Sequence, residues 1–343
     1  MTSQAMSAAS RSGLCFQLIT IMMSVFKPAL LLLFGAVLAG KVHAQSYPSK
    51  PVRVVVAFTA GGTTDLLARV VAQQLTERLK QSFVIDNKPG AGGNIGTEAV
   101  VHAVPDGYTL IVNSVGPMAV NATLYGKLGY NPQTDLVPVV QIADVPNVLV
   151  VHPSLPARTM EEFIAHGKAH PGELNYGSTG SGTSSHLSSY MLSKRAGLNA
   201  SHIPYKGAEA LRDLLAGRIQ FMFATIPSVM PQIAAGKLRA IAVSSLKRSR
   251  SLPDVPTVSE KGFAGFEAGS WFGVFAPKGT PLEALSLINK QVNEILLIPA
   301  IEQQMVAQGA DPVGGSAAQL GQFVQREHDK WRLIVRESGA TVE

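Results

Sequence analysis

Apolar and polar positions along this chain follow two rhythms. Six short runs are almost continuously apolar: residues 52–58, 109–112, 148–151, 219–223, 240–243 and 272–276. Valine, isoleucine and phenylalanine dominate them, the pattern of strands covered on both faces of a mostly parallel sheet. Between them lie stretches with apolar residues three and four apart. Leu67, Val71, Leu75 and Leu79 mark one at 66–79, and others cover 160–169, 186–196 and 208–215. That spacing places the apolar residues on one helix face. Strands alternating with helices predict an α/β architecture. Toward the C-terminal side, Thr280, Pro281 and Glu283 read as the N-cap, first residue and capping box of a further helix. Leu285, Ile288, Val292 and Ile295 follow as its core-facing stripe.

The first 44 residues follow neither rhythm. They hold Arg11, Lys27 and Lys41 but no acid, an apolar stretch at 29–39, and the small-residue pattern Val42-His43-Ala44. This reads as a signal peptide cleaved near Ala44, with export to the periplasm. Met23, followed by Lys27 and the apolar run, is a candidate start. The run is far shorter than the about 20 residues a bilayer span needs, so no stable membrane anchor is expected. Cys15 is the one cysteine. It falls in the leader, which leaves the mature chain without disulfides, thiolate metal ligands or a thiol nucleophile. Without Arg11, Lys27 and Lys41, the 29 basic residues become 26 against 23 acidic ones, a net charge of +3. That balance predicts no nucleic-acid partner. The one basic run, Lys247-Arg248-Ser249-Arg250, reads as a solvated loop.

About 300 mature residues suit two lobes. The turns place a boundary near 144–146, with the chain returning near Ser270. Lobe 1 is then 45–146 plus 271–343, and lobe 2 is 147–270. Two crossings make a two-strand hinge, read here as parallel, that suits closure around a ligand.

Two glycine- and hydroxyl-rich loops carry the candidate chemistry. Ala60-Gly61-Gly62-Thr63-Thr64-Asp65 follows the run that ends at Phe58 and opens a helix. Residues 177–185 include Ser178, Thr179, Gly180, Thr183 and Ser184, and also lead into a helix. Such loops present unpaired N–H groups at the positive end of a helix dipole, an anion site. Asp65 reads as a cap for the helix from Leu66 and as a candidate acceptor for a ligand hydroxyl or ammonium. Lys206 is a candidate partner for a second carboxylate.

Catalytic alternatives lack their residues. No serine of the second loop sits in Gly-x-Ser-x-Gly. Ser184 and Ser185 lie too near His186 in sequence to face it on a helix. No phosphate loop of the Gly-Lys-Ser/Thr type occurs, and Gly90-Ala91-Gly92-Gly93-Asn94-Ile95-Gly96 misses the dinucleotide spacing by one residue. The histidines have no metal-ligand spacing, and His186 and His202 are expected at the surface or behind a site. No cofactor, metal or catalytic residue is predicted.

Seven ordered motifs from Tyr47 onward resemble the Bug family, the extracytoplasmic substrate-binding receptors of tripartite tricarboxylate transporters. They are residues 60–65, 87–96, 105–110 (Pro-Asp-Gly-Tyr-Thr-Leu), 176–180, 204–207 (Pro-Tyr-Lys-Gly), 252–257 and Trp271-Phe272-Gly273. The resemblance implies a type II periplasmic-binding-protein fold, with two α/β lobes and a carboxylate held between the two loops. It also implies a two-component membrane permease as partner. The expected ligand-binding residues are Phe58, Ala60, Gly61, Gly62, Thr63, Asp65, Ser178, Thr179, Gly180, Thr183, Ser184, Lys206 and Thr225, in a monomer. The first loop begins with Ala60 where the family usually has proline, which should loosen it slightly. Ala224-Thr225 stands where the family often has an acid, which favours a plain carboxylate over an amino acid. A periplasmic sensor feeding a membrane kinase, or an exported hydrolase, are the competing readings.

Overall fold

Val52–Val56 forms β1, and Val52, Val54, Val55 and Val56 are all buried, as a central strand requires. The computed structural model describes residues 47–207, 209–338 and 342, so the leader with Cys15, Met23 and Ala44 lies outside the described residues. β2 (Phe83–Asn87) and β3 (Thr109–Ser114) flank β1 in parallel. The same sheet continues antiparallel through β10 (Ser270–Pro277), β4 (Leu136–Val145) and β11 (Asp311–Gly314). A second sheet holds β5 (Asn147–Val151), β6 (Leu174–Ser178), β7 (Ala200–Pro204), β8 (Phe221–Thr225) and β9 (Arg239–Val243), in the order β7-β6-β8-β5-β9.

Both sheets are mixed rather than mostly parallel. In the second, β6 runs parallel to β7 and β8, and β5 runs antiparallel to β8 and β9. The hinge is corrected in the same sense. Only Pro146 separates β4 from β5, and Ser270 of β10 pairs with Val145 antiparallel. One strand leaves the first sheet and the other returns to it, so they run in opposite directions.

The helices are α1 (Thr63–Leu79), α2 (Asn94–Val101), α3 (Asn121–Leu124), α4 (Met160–Ala169), α5 (Ser184–Ala196), α6 (Glu209–Leu215), α7 (Ile226–Ala234), α8 (Leu282–Leu296), α9 (Pro299–Ala307) and α10 (Ala317–Ser338). Ile288, Val292 and Ile295 of α8 are buried as their stripe predicts, with Leu285 partly exposed. Thr280 is not its cap: Pro281 holds the N-cap position, and the Thr280 hydroxyl donates to the Pro277 carbonyl at 2.8 Å. The glycine run at 90–96 serves packing. A side chain at Gly96 would meet Ala57 Cα and the Lys88 carbonyl at 2.8 Å, so glycine lets α2 lie against β1. The basic run is ion-paired, with Arg248 on Glu260 and Arg250 on Asp311 at 2.8 Å each.

An apolar cluster joins the lobes, running from Val55 and Ile111 through Leu149 and Phe221 to Phe266 and Trp271. At its edge α10 supplies a buried Glu327, one of whose oxygens accepts from both indoles, Trp271 at 3.1 Å and Trp331 at 2.9 Å.

Candidate functional site

The first loop turns on Gly61, whose φ of 80° is left-handed. α1 then starts with an extended Gly62 at the N-cap and no side-chain cap. Asp65, third in the helix, reaches back instead. One of its oxygens accepts from the Gly61 N–H and Arg69 Nε at 2.9 Å each, and the other from Asn87 Nδ2 at 3.0 Å. Burial pushes this carboxyl up, but the bonds from Arg69, Gly61 and Asn87 outweigh it and hold the group below its usual range. The expected cap for Leu66 is thus corrected. The Leu66 N–H donates to the Gly62 carbonyl at 3.0 Å, while Asp65 braces the loop from behind and does not line the cleft.

The second loop is braced by histidines. The Gly180 N–H donates to Ser178 Oγ at 3.2 Å, and Ser178 Oγ lies 2.7 Å from His202 Nε2. The Gly182 N–H donates to His186 Nδ1 at 3.2 Å. The two imidazoles stack at 3.9 Å. Burial, and then the His202 neighbour, push His186 down to about 3, and burial pushes His202 down to about 4. Both rings are neutral at pH 7 and hold the loop without adding charge. The Ser178–His202 contact sits behind the loop, away from the cleft, so it offers no nucleophile to a ligand.

Hydroxyls of the second loop also point inward. Thr183 caps α5 and donates to the Gly180 carbonyl at 2.7 Å. Ser184 donates to Asn147 Oδ1 at 3.4 Å, and Ser185 donates to the Phe223 carbonyl. What α5 turns toward the cleft is therefore backbone. The first-turn N–H groups of Ser184 and Ser185, like those of Thr63 and Thr64 in α1, have no acceptor within their helices.

These two helix starts meet across a cleft of about 900 Å³, open mouth included. Of the expected residues, Phe58, Gly61, Gly62 and Thr63 line it from one lobe, and Thr179, Thr183, Ser184 and Thr225 from the other. Five do not. Ala60 is exposed at the loop crest, Asp65 and Ser178 are buried behind the loops, the Gly180 N–H is turned toward Ser178, and Lys206 is exposed outside. Thr63 Oγ1 and Thr225 Oγ1 lie 2.8 Å apart, a hydroxyl pair that bridges the lobes. Sequence reasoning missed Ser114 at the end of β3 with Val115 and Gly116 after it, and also Leu211, Met222, Val229, Ser270 and Phe272. A signal existed for two of these groups. Ser114 is the carboxyl end of a strand parallel to β1, where α/β proteins bind ligands, and Met222 shares a strand face with Ala224.

A braced fold of two mixed α/β lobes, with two helix starts facing one cleft, defines a two-lobed solute-binding receptor. Residues 67–340 match the model for the tripartite tricarboxylate transporter family receptor, and the chain belongs to that family. It is 40% identical over 308 residues to protein BugT of Bordetella pertussis, which covers 89% of this chain and 94% of that protein. Among solved structures, R. palustris Rpa4515 with adipate is 39% identical at a TM-score of 0.84, covering 85% of this chain and 98% of that one. MatC from Rhodopseudomonas palustris with bound malate is 32% identical at a TM-score of 0.80, covering 84% and 100%. The family and these neighbours are solute-binding receptors, not enzymes.

Proposed function

We propose that this chain is a periplasmic receptor that captures a small carboxylate between its lobes and delivers it to a two-component membrane permease. In this reading the signal peptide is removed near Ala44 and the mature protein acts as a monomer. Lobe 1 is 45–146 plus 271–343, lobe 2 is 147–270, and Pro146 and Ser270 mark the hinge. The observation that carries the reading is the meeting of the α1 and α5 starts in one cleft whose described lining holds no ionisable side chain. A carboxylate there takes charge-assisted bonds from the N–H groups of Thr63, Thr64, Ser184 and Ser185, each stronger than a neutral hydrogen bond. The adipate and malate of the two similar structures support the ligand class. Ala224 at the cleft supplies no carboxylate for an ammonium group, which favours a plain acid over an amino acid.

A thermal-shift screen of the protein purified from the periplasm, against carboxylates and amino acids, tests this. Ligand at 100 times its Kd adds about 2.7 kcal/mol to the folded state. A melting temperature raised by several degrees with at least one carboxylate is expected. Amino acids producing the largest shift, or no carboxylate producing any, would sink the reading.

A further inference from the structure

Asn147 is the first residue past Pro146, on the strand that opens the second sheet, and it is fully buried. A buried asparagine must place two amide donors and an acceptor, and this one places all three. Its Nδ2 donates to Ser188 Oγ at 3.0 Å and to the Ala268 carbonyl at 2.9 Å, while its Oδ1 accepts from Ser184. Ser188 closes the ring by donating to the same Ala268 carbonyl at 2.7 Å. The backbone is held as well. The Asn147 N–H donates to Ser244 Oγ at 3.0 Å, and its carbonyl accepts from the Ser244 N–H at 2.8 Å. The Ala268 N–H donates to the Ser244 carbonyl at 3.2 Å.

Three pieces of chain thus meet on one side chain. Asn147 begins the strand that leaves the first lobe, and Ala268 lies two residues ahead of β10, which returns to it. Ser188 stands about one turn beyond Ser184, in the helix whose start faces the cleft. Other hydroxyls of α5 bond within the second lobe. Ser185 donates to the Phe223 carbonyl, and Ser189 Oγ accepts from the Phe223 N–H at 3.3 Å and donates to the Ser185 carbonyl at 2.9 Å. Those bonds hold α5 to β8 and do not reach the crossing strands. The ring of Asn147, Ser188 and Ala268 does. Hydrogen bonds from a helix start weaken steeply as the donors turn away from their acceptor, so what fixes the helix also fixes its grip on an anion.

Resting on the receptor reading above, we infer that Asn147 and Ser188 are positioning residues for ligand capture. They fasten the start of α5 to both hinge strands, so that this helix and the hinge move as one body.

Ser189 supplies the comparison. It is fully buried on the same helix and bonded to cleft-lining Ser185, but not to the hinge. Ser188→Ala, Asn147→Ala and Ser189→Ala each lose buried hydrogen bonds and should each lower the melting temperature by about 2–4 °C. Calorimetry on the proteins purified from the periplasm then separates the roles. The probe is whichever of adipate, malate, citrate, hexanoate and benzoate raises the parent's melting temperature most, or, where none does, whichever acid of the wider screen does. Ser188→Ala and Asn147→Ala should each bind it at least about fivefold more weakly than Ser189→Ala, the equivalent of about 1 kcal/mol. Should Asn147→Ala fail to fold, Ser188→Ala decides alone. A clamp variant within fivefold of Ser189→Ala overturns this inference and leaves the receptor reading standing. Silence of the parent toward every acid of the screen overturns both.

Discussion

Closure of the lobes can be tested without touching the ligand. Gly182 does not line the cleft, yet it faces lobe 1 across the seam. Its φ is 80°, and an added Cβ would meet Asn121 Oδ1 at 2.8 Å and the Leu124 side chain more closely still. Gly182→Ala therefore has two separable effects. The left-handed backbone costs an L-residue about 1 kcal/mol whether the lobes are apart or together. The collision arises only when they meet, and overpacking of this kind costs about 1–3 kcal/mol. Gly197 supplies the control, with a φ of 65° and nothing within 4 Å of an added Cβ. Gly197→Ala should lower the melting temperature by about 2–4 °C and leave Kd unchanged. Gly182→Ala should lower the melting temperature similarly but raise Kd about 30-fold, the equivalent of about 2 kcal/mol. Calorimetry with any carboxylate that binds the parent protein reads the difference. Matching affinities for the two variants would refute the account in which ligand capture requires this seam to close.

Three further outcomes follow from the site. Thr63→Val and Thr225→Val each remove the hydroxyl pair across the lobes and should weaken binding about fivefold, near 1 kcal/mol, with no further loss in the double variant; additive losses in calorimetry would show that the two hydroxyls act apart. Asp65→Ala leaves the Gly61 N–H without its acceptor and takes one of two from the Asn87 amide, which keeps the Phe58 carbonyl, and should lower stability by about 2 kcal/mol in chemical denaturation; a change below 0.5 kcal/mol, about the noise of a surface substitution, would refute the bracing role. The depressed pKa values of His186 and His202 mean that the unfolded chain takes up protons first as pH falls below its ordinary histidine value of about 6.5. Their contribution is complete above that pH and declines toward about 4, with His202 alone losing on the order of 2 kcal/mol between pH 6.5 and 5. Melting curves should show that acid limb in the parent protein and a shallower one in His202→Gln; equal slopes would count against the buried neutral pair.

Central strands were legible because burial on both faces leaves a continuous apolar run, as in β1 and β5. The strands that escaped notice carry mixed residues. β6 reads Leu-Asn-Tyr-Gly-Ser, and β7 ends in a proline at the sheet's edge, where one side of the ladder is open. Strand direction escaped for another reason. Whether β10 runs with or against β4 depends on where the chain goes between them, and composition does not encode that path. At the site, the sequence located both loops but not which of their groups neighbours already hold. Asp65, Ser178 and Gly180 have the right chemistry for a ligand, yet each is already satisfied by a neighbour: Asp65 by Gly61, Arg69 and Asn87, and Ser178 by His202 and Gly180. Those partners come from separate elements, such as Asn87 at the end of β2 and His202 on β7. The far wall escaped because leucine, methionine and valine look alike whether they face a core or a ligand.

The chain has two tryptophans, and both indoles donate to the same oxygen of Glu327. Trp271 lies between Ser270 and Phe272, which line the cleft, on the strand that returns from the second lobe. Trp331 is fully buried in α10 against it. The intrinsic tryptophan fluorescence of the unlabelled protein is thus a local signal, emitted from one shared polar contact at the root of the strand that returns from the second lobe. A change in emission on adding a ligand reports on that root directly, and an unchanged spectrum means that the indoles kept their common acceptor.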